Sequence, residues 1–413
     1  MKLLTEFRSF DRPSRLLMVN QFTINVGFYM LMPYLAGYLA GPLGLAGWAI
    51  GLVLGVRNFS QQGMFLVGGT LADRFGYKPL IVAGCVLRTA GFALLGLVDA
   101  LPALIVASAA TGFAGALFNP AVRAYLAADA GPRRIEAFAL FNVFYQGGIL
   151  LGPLVGLALT AFDFRLTCLI AAAVFAALTV LQLRALPARA PRDPDEERRS
   201  VLHDWRTVLA NRPFVVFALV MVGSNVLTFQ VYLALPLQAK AITGSGTALV
   251  TALFVVSGAV AIAGQLRVTA WFRRRWAPSR CLVIGMALLA IAFLPPLLAT
   301  GRTGPGGQAG AAAALLLTAA LLALGTAAIF PFEMDTIIGL SGERLVATHY
   351  GFYNTIVGVG ILLGNLFTGS VFDLARAAGY PWLPWAGLAL LGVVCGAGLY
   401  TLDRRRVLAP AAP

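Results

Sequence analysis

Gly148-Ile-Leu-Leu-Gly152 spells GILLG, and the same five letters return at Gly360-Ile-Leu-Leu-Gly364. The match extends beyond the word. Phe141-Asn142 precedes the first copy and Tyr353-Asn354 the second, each Asn six residues ahead, while Phe162-Asp163 and Phe372-Asp373 follow. The copies stand 212 residues apart in a chain of 413. A word repeated at half the chain length reads as the mark of two related halves.

Composition names the solvent. Hydrophobic residues are 59% of the chain and charged residues 12%, about half the charge of a soluble domain. Water is a poor solvent for such a chain, and a membrane is expected. Met1 to Arg15 is polar and basic, and the apolar run behind it is too long for the core of a secretory signal and has no small-residue cleavage site. Cys85, Cys168, Cys281 and Cys395 lie singly inside apolar runs, with neither metal spacing nor a disulfide framework. The preference for Arg, Ala and Gly points to a GC-rich bacterial genome.

Twelve apolar runs follow one another, near 15–39, 46–70, 79–99, 102–127, 136–162, 165–187, 213–239, 247–271, 280–299, 309–336, 349–372 and 382–402. Each can cross about 30 Å of hydrocarbon as a helix. Only helices and closed barrels satisfy the backbone there, and these runs are too long and too evenly apolar for barrel strands. Pro33, Pro120, Pro236 and Pro331 fall inside runs, which membrane helices tolerate. Basic residues concentrate in the termini and even connections: Arg8, Arg12 and Arg15; Arg74 and Lys78; Arg133 and Arg134; the segment Arg184 to Arg212; Arg273 to Arg275 and Arg280; Arg344; and Arg404 to Arg406. The odd connections hold Arg165, Lys240, Arg302 and Arg376. The basic side is expected to face the cytoplasm, which puts both termini inside. It also accounts for the net charge of +14 through contact with anionic lipid rather than nucleic acid.

These features predict an all-α membrane protein of twelve transmembrane helices in two pseudo-symmetric six-helix halves, 1–187 and 213–413, joined by a polar cytoplasmic loop over 188–212. A short amphipathic helix is expected near Leu202 to Leu209. GILLG then falls in the fifth span of each half. Gly148, Gly152 and Gly156 form one small-residue stripe and Gly360 and Gly364 another, of the kind that lets membrane helices approach closely.

Three motifs carry a family resemblance. Gly69-Thr-Leu-Ala-Asp73-Arg74-Phe-Gly76-Tyr-Lys78-Pro-Leu80, between spans 2 and 3, resembles the signature loop of the major facilitator superfamily. Gly148-Ile-Leu-Leu-Gly152-Pro153-Leu-Val-Gly156 resembles that superfamily's span-5 antiporter motif, with Leu157 where a final glycine is usual. Arg57-Asn-Phe-Ser-Gln61-Gln62-Gly63, Leu87-Arg88-Thr-Ala-Gly-Phe92, Phe118-Asn-Pro120 with Arg123, and Asp163-Phe-Arg165-Leu are similar to MdtH-type multidrug exporters of the drug:proton antiporter branch. The resemblance implies a parallel repeat with a substrate site between the halves near the midplane, and export as the direction. It also implies that the counterpart of Asp73 meets the positive end of span 11 and closes an inner gate, and that spans 1, 4, 7 and 10 line the cavity. Two positions depart from the family pattern. Ala109 stands where an arginine tied to proton transfer is common, three residues before Gly112, and Tyr77 replaces an arginine of the signature loop.

The residues themselves suggest further roles. Arg74 or Lys78 can pair with Asp129 at the end of span 4. Arg57 and Arg88 fall near mid-span, where a charge costs about 2.5–3.5 kcal/mol on insertion scales and needs compensation. Arg57 has Gln61 one turn on, and either an anionic or carbonyl-rich group of a substrate or backbone carbonyls of a neighbouring helix would suit it. Asn119 and Arg123 share a face of span 4. Alignment of Pro120 with Pro331 sets Glu333 and Asp335 of span 10 at matching depth; either one of these carboxyls faces Arg123 across a cytoplasmic gate and couples to protons by charge neutralisation, or both lie solvated at the interface where the helix ends. Their i, i+2 spacing prevents a shared helix face. Gln21, Asn25 and Tyr29 on span 1, Asn142, Tyr145 and Gln146 on span 5, Asn225, Gln230 and Tyr232 on span 7, and Phe352, Tyr353 and Asn354 on span 11 are either a cavity lining suited to amphipathic molecules or ordinary interhelical hydrogen bonding.

Other classes are disfavoured. No GxxxxGK[ST] loop is present, and His203 and His349 are too few and too far apart for a zinc site or a catalytic triad. The expectation is a monomeric secondary transporter, not an enzyme, with no cofactor or metal. It would exchange protons for small organic molecules across the bacterial inner membrane and take no nucleic acid. A dedicated exporter of one metabolite, siderophore or lipid, or a transport-dead sensor on the same fold, are the alternatives.

Overall fold

The computed structural model describes residues 7–130, 134–187, 201–244, 247–299, 304–342 and 346–405. Among these residues regular structure is entirely helical, as hydrocarbon demands of a chain with no barrel pattern. In chain order the helices are α1 (Arg12–Tyr29), α2 (Met32–Ala40), α3 (Gly47–Asn58), a π-helical turn (Phe59–Gly63), α4 (Phe65–Phe75), α5 (Tyr77–Leu97), α6 (Leu101–Ala130), α7 (Arg134–Thr160) and α8 (Phe164–Ala185). There follow α9 (Val201–Ala210), α10 (Arg212–Phe229), α11 (Ala234–Thr243), α12 (Thr247–Arg275), α13 (Pro278–Ile291), α14 (Leu294–Ala299), α15 (Gly304–Ser341), α16 (Val346–Ala378) and α17 (Leu383–Arg404).

Every expected apolar run coincides with helix. Ten stretches among the described residues are long and apolar enough to cross a membrane, and the protein is a multi-pass membrane protein. The other two expected spans, 15–39 and 46–70, fall on interrupted helices. The first breaks at Met30-Leu31, just ahead of Pro33, whose ring and missing N–H disfavour a continuous helix. The second is broken by the π-helical turn and carries Arg57, Asn58, Gln61 and Gln62. Similar breaks precede Pro236 (between α10 and α11) and Pro295-Pro296 (between α13 and α14). Helix α9 occupies the place expected of the amphipathic segment. Val208 on it is buried and Leu209 exposed, and Trp205 meets the Phe352 ring edge-on at 5.7 Å. Residues 188–200 of the expected central loop lie outside the described residues.

Contacts divide the chain into two compact units, Met1–Tyr38 with Val56–Glu197 and Leu39–Gly55 with Arg198–Pro413. In the first, α5 packs on α6 and α8, and α1 packs along α7. Its core is aromatic: Phe28 lies 6.5 Å from Phe92 and Phe92 lies 5.4 Å from Phe175, ring to ring. The first glycine stripe faces α1. A Cβ at Gly148 would collide with the Phe22 carbonyl and Asn25, at Gly152 with Tyr29, and at Gly156 with the Met30 carbonyl. Gly76, between α4 and α5, has φ 88°, a left-handed conformation that glycine adopts without strain.

In the second unit α13 and α12 pack on α15, and α16 packs on α10. The second glycine stripe faces α10, since a Cβ at Gly360 or Gly364 would strike Val222 or Val226. The two copies of GILLG therefore do the same work in each unit, holding the fifth span against the first. A further contact joins α3 to α16. Gly47, Gly51 and Gly55 lie against Gly369, Asn365 and Leu362 with no room for side chains between them. Asp373 accepts from the first amides of α3, Gly47 N at 2.7 Å and Trp48 N at 2.9 Å. A carboxylate is favourable at that positive helix end.

Because Tyr29 abuts Gly152, Gly152→Ala should destabilise the protein by about 1–3 kcal/mol through overpacking. Gly310→Ala, with nothing near its added methyl, should leave thermal unfolding of the detergent-solubilised chain unchanged or slightly raised.

Candidate functional site

The second unit carries a buried polar cluster where α10, α15 and α16 face one another. Glu333 follows Pro331 by two residues on α15 and is 6% exposed. Asp335 is exposed, as a two-residue step along a helix requires. The Tyr353 hydroxyl hydrogen-bonds the Glu333 carboxylate and accepts from Asn225 Nδ2 at 3.4 Å. The Tyr353 ring stacks on Phe217 with centroids 6.5 Å apart, which fixes the direction of the hydroxyl. Ser224 Oγ lies 3.4 Å from Asn225 Nδ2, and the Thr228 and Thr326 hydroxyls meet at 3.2 Å. Three residues singled out in the sequence, Asn225, Glu333 and Tyr353, are thus brought together from spans 7, 10 and 11. A carboxyl at this depth is costly and characteristic of proton pathways. Ser224, Thr228 and Thr326 carry no advance signal, because Thr228 and Thr326 also bond their own i−4 carbonyls as any helical threonine does.

The first unit carries a buried basic cluster. Arg57 is 4% and Arg88 5% exposed. Arg57 donates to Asn58 Oδ1 at 2.7 Å and Gln61 Oε1 at 2.8 Å, and its guanidinium lies 4.4 Å from the Phe28 centroid. The Arg88 guanidinium lies 5.3 Å from the same centroid and 5.4 Å from that of Phe175. The π-helical turn begins two residues after Arg57. Gly112 lets α6 close on this turn, where any Cβ would strike the Arg57 carbonyl and Ser60.

The remaining residues singled out in the sequence fall into two groups. Some tie helices together. Gln21 Nε2 donates to Asn25 Oδ1 at 3.1 Å, Asn25 Nδ2 donates to the Tyr145 carbonyl at 2.8 Å, and the Tyr29 and Tyr145 hydroxyls share a hydrogen bond. The Pro153 carbonyl accepts from the Tyr34 hydroxyl at 2.5 Å. Gln230 is fully buried, bonded to the Val226 carbonyl at 2.9 Å and Asn365 Oδ1 at 3.4 Å. Tyr232 packs between Phe229 and Phe254, and Asn354 bonds the Tyr350 carbonyl one turn back. Others stay open: Arg123, Asn142 and Gln146 are exposed and Asn119 is half-buried. In the signature loop, the side chains of Asp73 and Arg74 lie outside the description, and Gly69 has open space around it. Asp129 accepts from Ser14 Oγ at 2.6 Å, whereas Lys78 donates to the Leu183 carbonyl at 3.0 Å. Of the two cations expected for Asp129, Lys78 reaches the α8 end instead, and the side chain of Arg74 lies outside the described residues. His349 Nε2 lies 3.4 Å from Asn211 Nδ2. No group of three potential metal ligands occurs among the described residues.

Two apolar helical units, each with a glycine-packed span and a buried ionisable cluster, define a secondary-transporter architecture. The Major Facilitator Superfamily model matches residues 17–364, and the chain belongs to that family. It is 61% identical over 402 residues to an uncharacterized MFS-type transporter of Mycobacterium tuberculosis, covering 96% of this chain and 94% of that one. It is 27% identical over 402 residues to the multidrug resistance protein MdtH of Salmonella typhimurium, covering 96% of each. Among solved structures, a mutant of the nucleoside transporter NupG superposes with a TM-score of 0.80 at 15% identity, covering 94% of this chain and 99% of that one. A POT family transporter in complex with 5-aminolevulinic acid gives 0.75 at 14%, covering 97% and 99%. These structures share the fold. The protein is a transporter, not an enzyme.

If Tyr353 anchors Glu333, then Tyr353→Phe should cost about 1–3 kcal/mol by leaving a buried acceptor without its donor. In a double-mutant cycle with Glu333→Gln, read by thermal unfolding, the losses should fall short of additive by about 0.5–3 kcal/mol.

Proposed function

We propose that the protein is a proton-coupled exporter of amphipathic small organic molecules, acting as a monomer by alternating access in the bacterial inner membrane with both termini in the cytoplasm. The observation that carries this reading is the Glu333 carboxyl, buried within a membrane helix and held by Tyr353, whose hydroxyl in turn accepts from Asn225. A group so placed can bind a proton with little other change, and its charge state decides which interhelical contacts are favourable. Asp335, exposed on the opposite face, lacks that setting. The 27% identity to a multidrug resistance protein over nearly the full chain supports drug-like cargo. The GILLG-Pro segment of α7, which resembles the antiporter motif, supports export. The concentration of arginine in the even connections supports internal termini.

Proteoliposomes holding the purified chain, an imposed pH gradient and ethidium as reporter test this. Wild type should move ethidium against its gradient and stop when the pH gradient is collapsed. Glu333→Gln should lower the pH-driven rate by an order of magnitude or more, and Asp335→Asn should leave it near wild type. Undiminished pH-driven transport in Glu333→Gln would reject Glu333 as the coupling group. Ethidium binding without movement in wild type would favour a sensor.

A further inference from the structure

Between Tyr38 and Val56 the chain changes company. The residues up to Tyr38 and from Val56 onward belong to the first unit, whereas Leu39–Gly55 belongs to the second. Both flanks are fixed. On one side the Tyr38 ring stacks on Phe164 with centroids 4.2 Å apart, and the Tyr38 hydroxyl accepts from Arg165 Nε at 3.2 Å. Arg165 is itself paired with Asp99 at 2.6 Å. On the other side comes the π-helical turn Phe59–Gly63, against which Gly112 of α6 closes. Such turns break the regular helical ladder and are frequent at functional positions. Within the stretch, Gly44 takes a φ of 60° and Leu45 N donates to the Leu39 carbonyl at 2.9 Å, so the turn leading into α3 is closed on itself.

The seam that holds this stretch on α16 differs from the other glycine seams. Where α7 meets α1, the close fit is reinforced by hydrogen bonds from Asn25 to the Tyr145 carbonyl and from Tyr34 to the Pro153 carbonyl. Where α16 meets α10, Gln230 and Asn365 bond across the fit. Between α3 and α16 the glycines lie backbone on backbone, and among the described residues the polar tie is Asp373 at one end. Its bond to Gly47 N is part-buried and its bond to Trp48 N is exposed. Ile50, Val53 and Leu54 of α3 are buried as well. Trading their protein neighbours for lipid costs little, because lipid tails are as apolar as leucine. Hydrogen bonds to an ionised group are stronger than neutral ones, and a carboxylate suits the positive end of a helix. The hold on the stretch is therefore concentrated in one side chain.

We propose that Leu39–Gly55 is a movable strap and that Asp373 is the latch that holds it on α16. With the two amide bonds made, the first half of α3 lies in the glycine seam. With them broken, the strap leaves α16 while Tyr38 and the π-helical turn stay in place, and the helix bends between Gly55 and Gly63. Release uncovers the face of α16 that carries Asn365 and Gly369. The device is a hinged half-helix, and it differs from the rocking of whole repeats. It goes beyond the exporter reading, because it depends neither on Glu333 nor on the chemistry of the cargo.

The test uses the full chain in nanodiscs, with Cys85, Cys168, Cys281 and Cys395 replaced by alanine and spin labels on Trp48→Cys and Leu390→Cys, two exposed positions on α3 and α17. Pulsed dipolar spectroscopy reads the distance between them. The latched chain should show one dominant distance. Asp373→Ala should raise the share of a second distance at least about tenfold. Asp373→Asn, which keeps one carbonyl oxygen for the two amides, should fall between. Gly369→Ala, whose Cβ would strike the Gly47 carbonyl, should release the strap with the latch residue intact, and it carries the test if the Asp373 variants fail to fold. Asp163→Asn alters the cap of α8, which lies outside the seam, and should leave the distance distribution unchanged. A second label pair at Leu219 and Leu390, on α10 and α17, should hold its distance in every variant. An unchanged Trp48–Leu390 distance in Asp373→Ala and Gly369→Ala overturns the proposal. So does an equal shift in Asp163→Asn, or a matching change in the Leu219–Leu390 pair, since either would mark general loosening. The measurement needs neither cargo nor a pH gradient, so its failure and that of the exporter reading are separate results.

Discussion

Inside a bilayer a polar group that finds no partner in the protein finds none at all, and the architecture follows from that. Backbone amides and carbonyls close on themselves in helices. Helical hydroxyls do the same on a smaller scale: Thr89, Thr160, Thr179, Thr251, Thr318 and Thr336 each donate to the carbonyl one turn back. Association between helices then has no hydrophobic drive, since lipid tails are as apolar as leucine. Contact must come from close fit, and glycine supplies it. Gly148, Gly152 and Gly156 bring α7 onto α1, and Gly360 and Gly364 bring α16 onto α10. Arg57 finds Asn58 and Gln61 along its own segment, whereas Arg88 and Glu333 turn to neighbouring helices, Arg88 to the Phe28 and Phe175 rings and Glu333 to Tyr353.

The fold was largely legible because the solvent writes it into composition. Apolar length marks each span, and the doubled GILLG marks the repeat. Breaks were harder to read. Pro33 and Pro236 were visible, but a proline can kink, end or merely sit in a membrane helix, and only packing decides among these. The π-helical turn at Phe59–Gly63 has no local sequence code and arises where α6 presses on the turn at Gly112. Of the site, the identity of the ionisable residues could be read, and their partners only in part. The i, i+4 relation found Gln61 for Arg57, and the i, i+2 spacing separated Glu333 from Asp335. Tyr353 as the donor to Glu333 depends on how α15 and α16 cross, which no helical period reports. Lys78 shows the same limit: a charged neighbour on a nearby connection was the obvious partner, but the long side chain reaches a bare carbonyl at the end of α8.

The two units divide the buried charge unequally. The first holds a pair of guanidiniums cushioned by aromatic rings and amides, and the second holds one carboxyl fixed by a phenol. Arginine keeps its charge under all ordinary conditions, whereas a carboxyl can gain or lose a proton. One cluster is thus a constant field and the other a variable one. A duplicated framework has come to carry two different electrostatic elements on matched scaffolding, with glycine contacts retained in both units and polar side chains free to diverge.

Divergence is sharpest at the aspartate that follows each repeated word. Asp163 caps the helix that begins beside it, accepting from Arg165 N, while Asp373 caps α3, whose first amide lies 326 residues earlier. During synthesis at about 5–20 residues per second, α3 emerges roughly half a minute before its cap exists. Throughout that interval its glycine-lined face, including Gly47 and Gly51, has lipid or the insertion machinery for company in place of α16. The late aspartate thereby makes completion of the C-terminal helices the event that settles an N-terminal segment, and nascent chains cut short before α16 should leave that segment exposed to quality-control proteolysis.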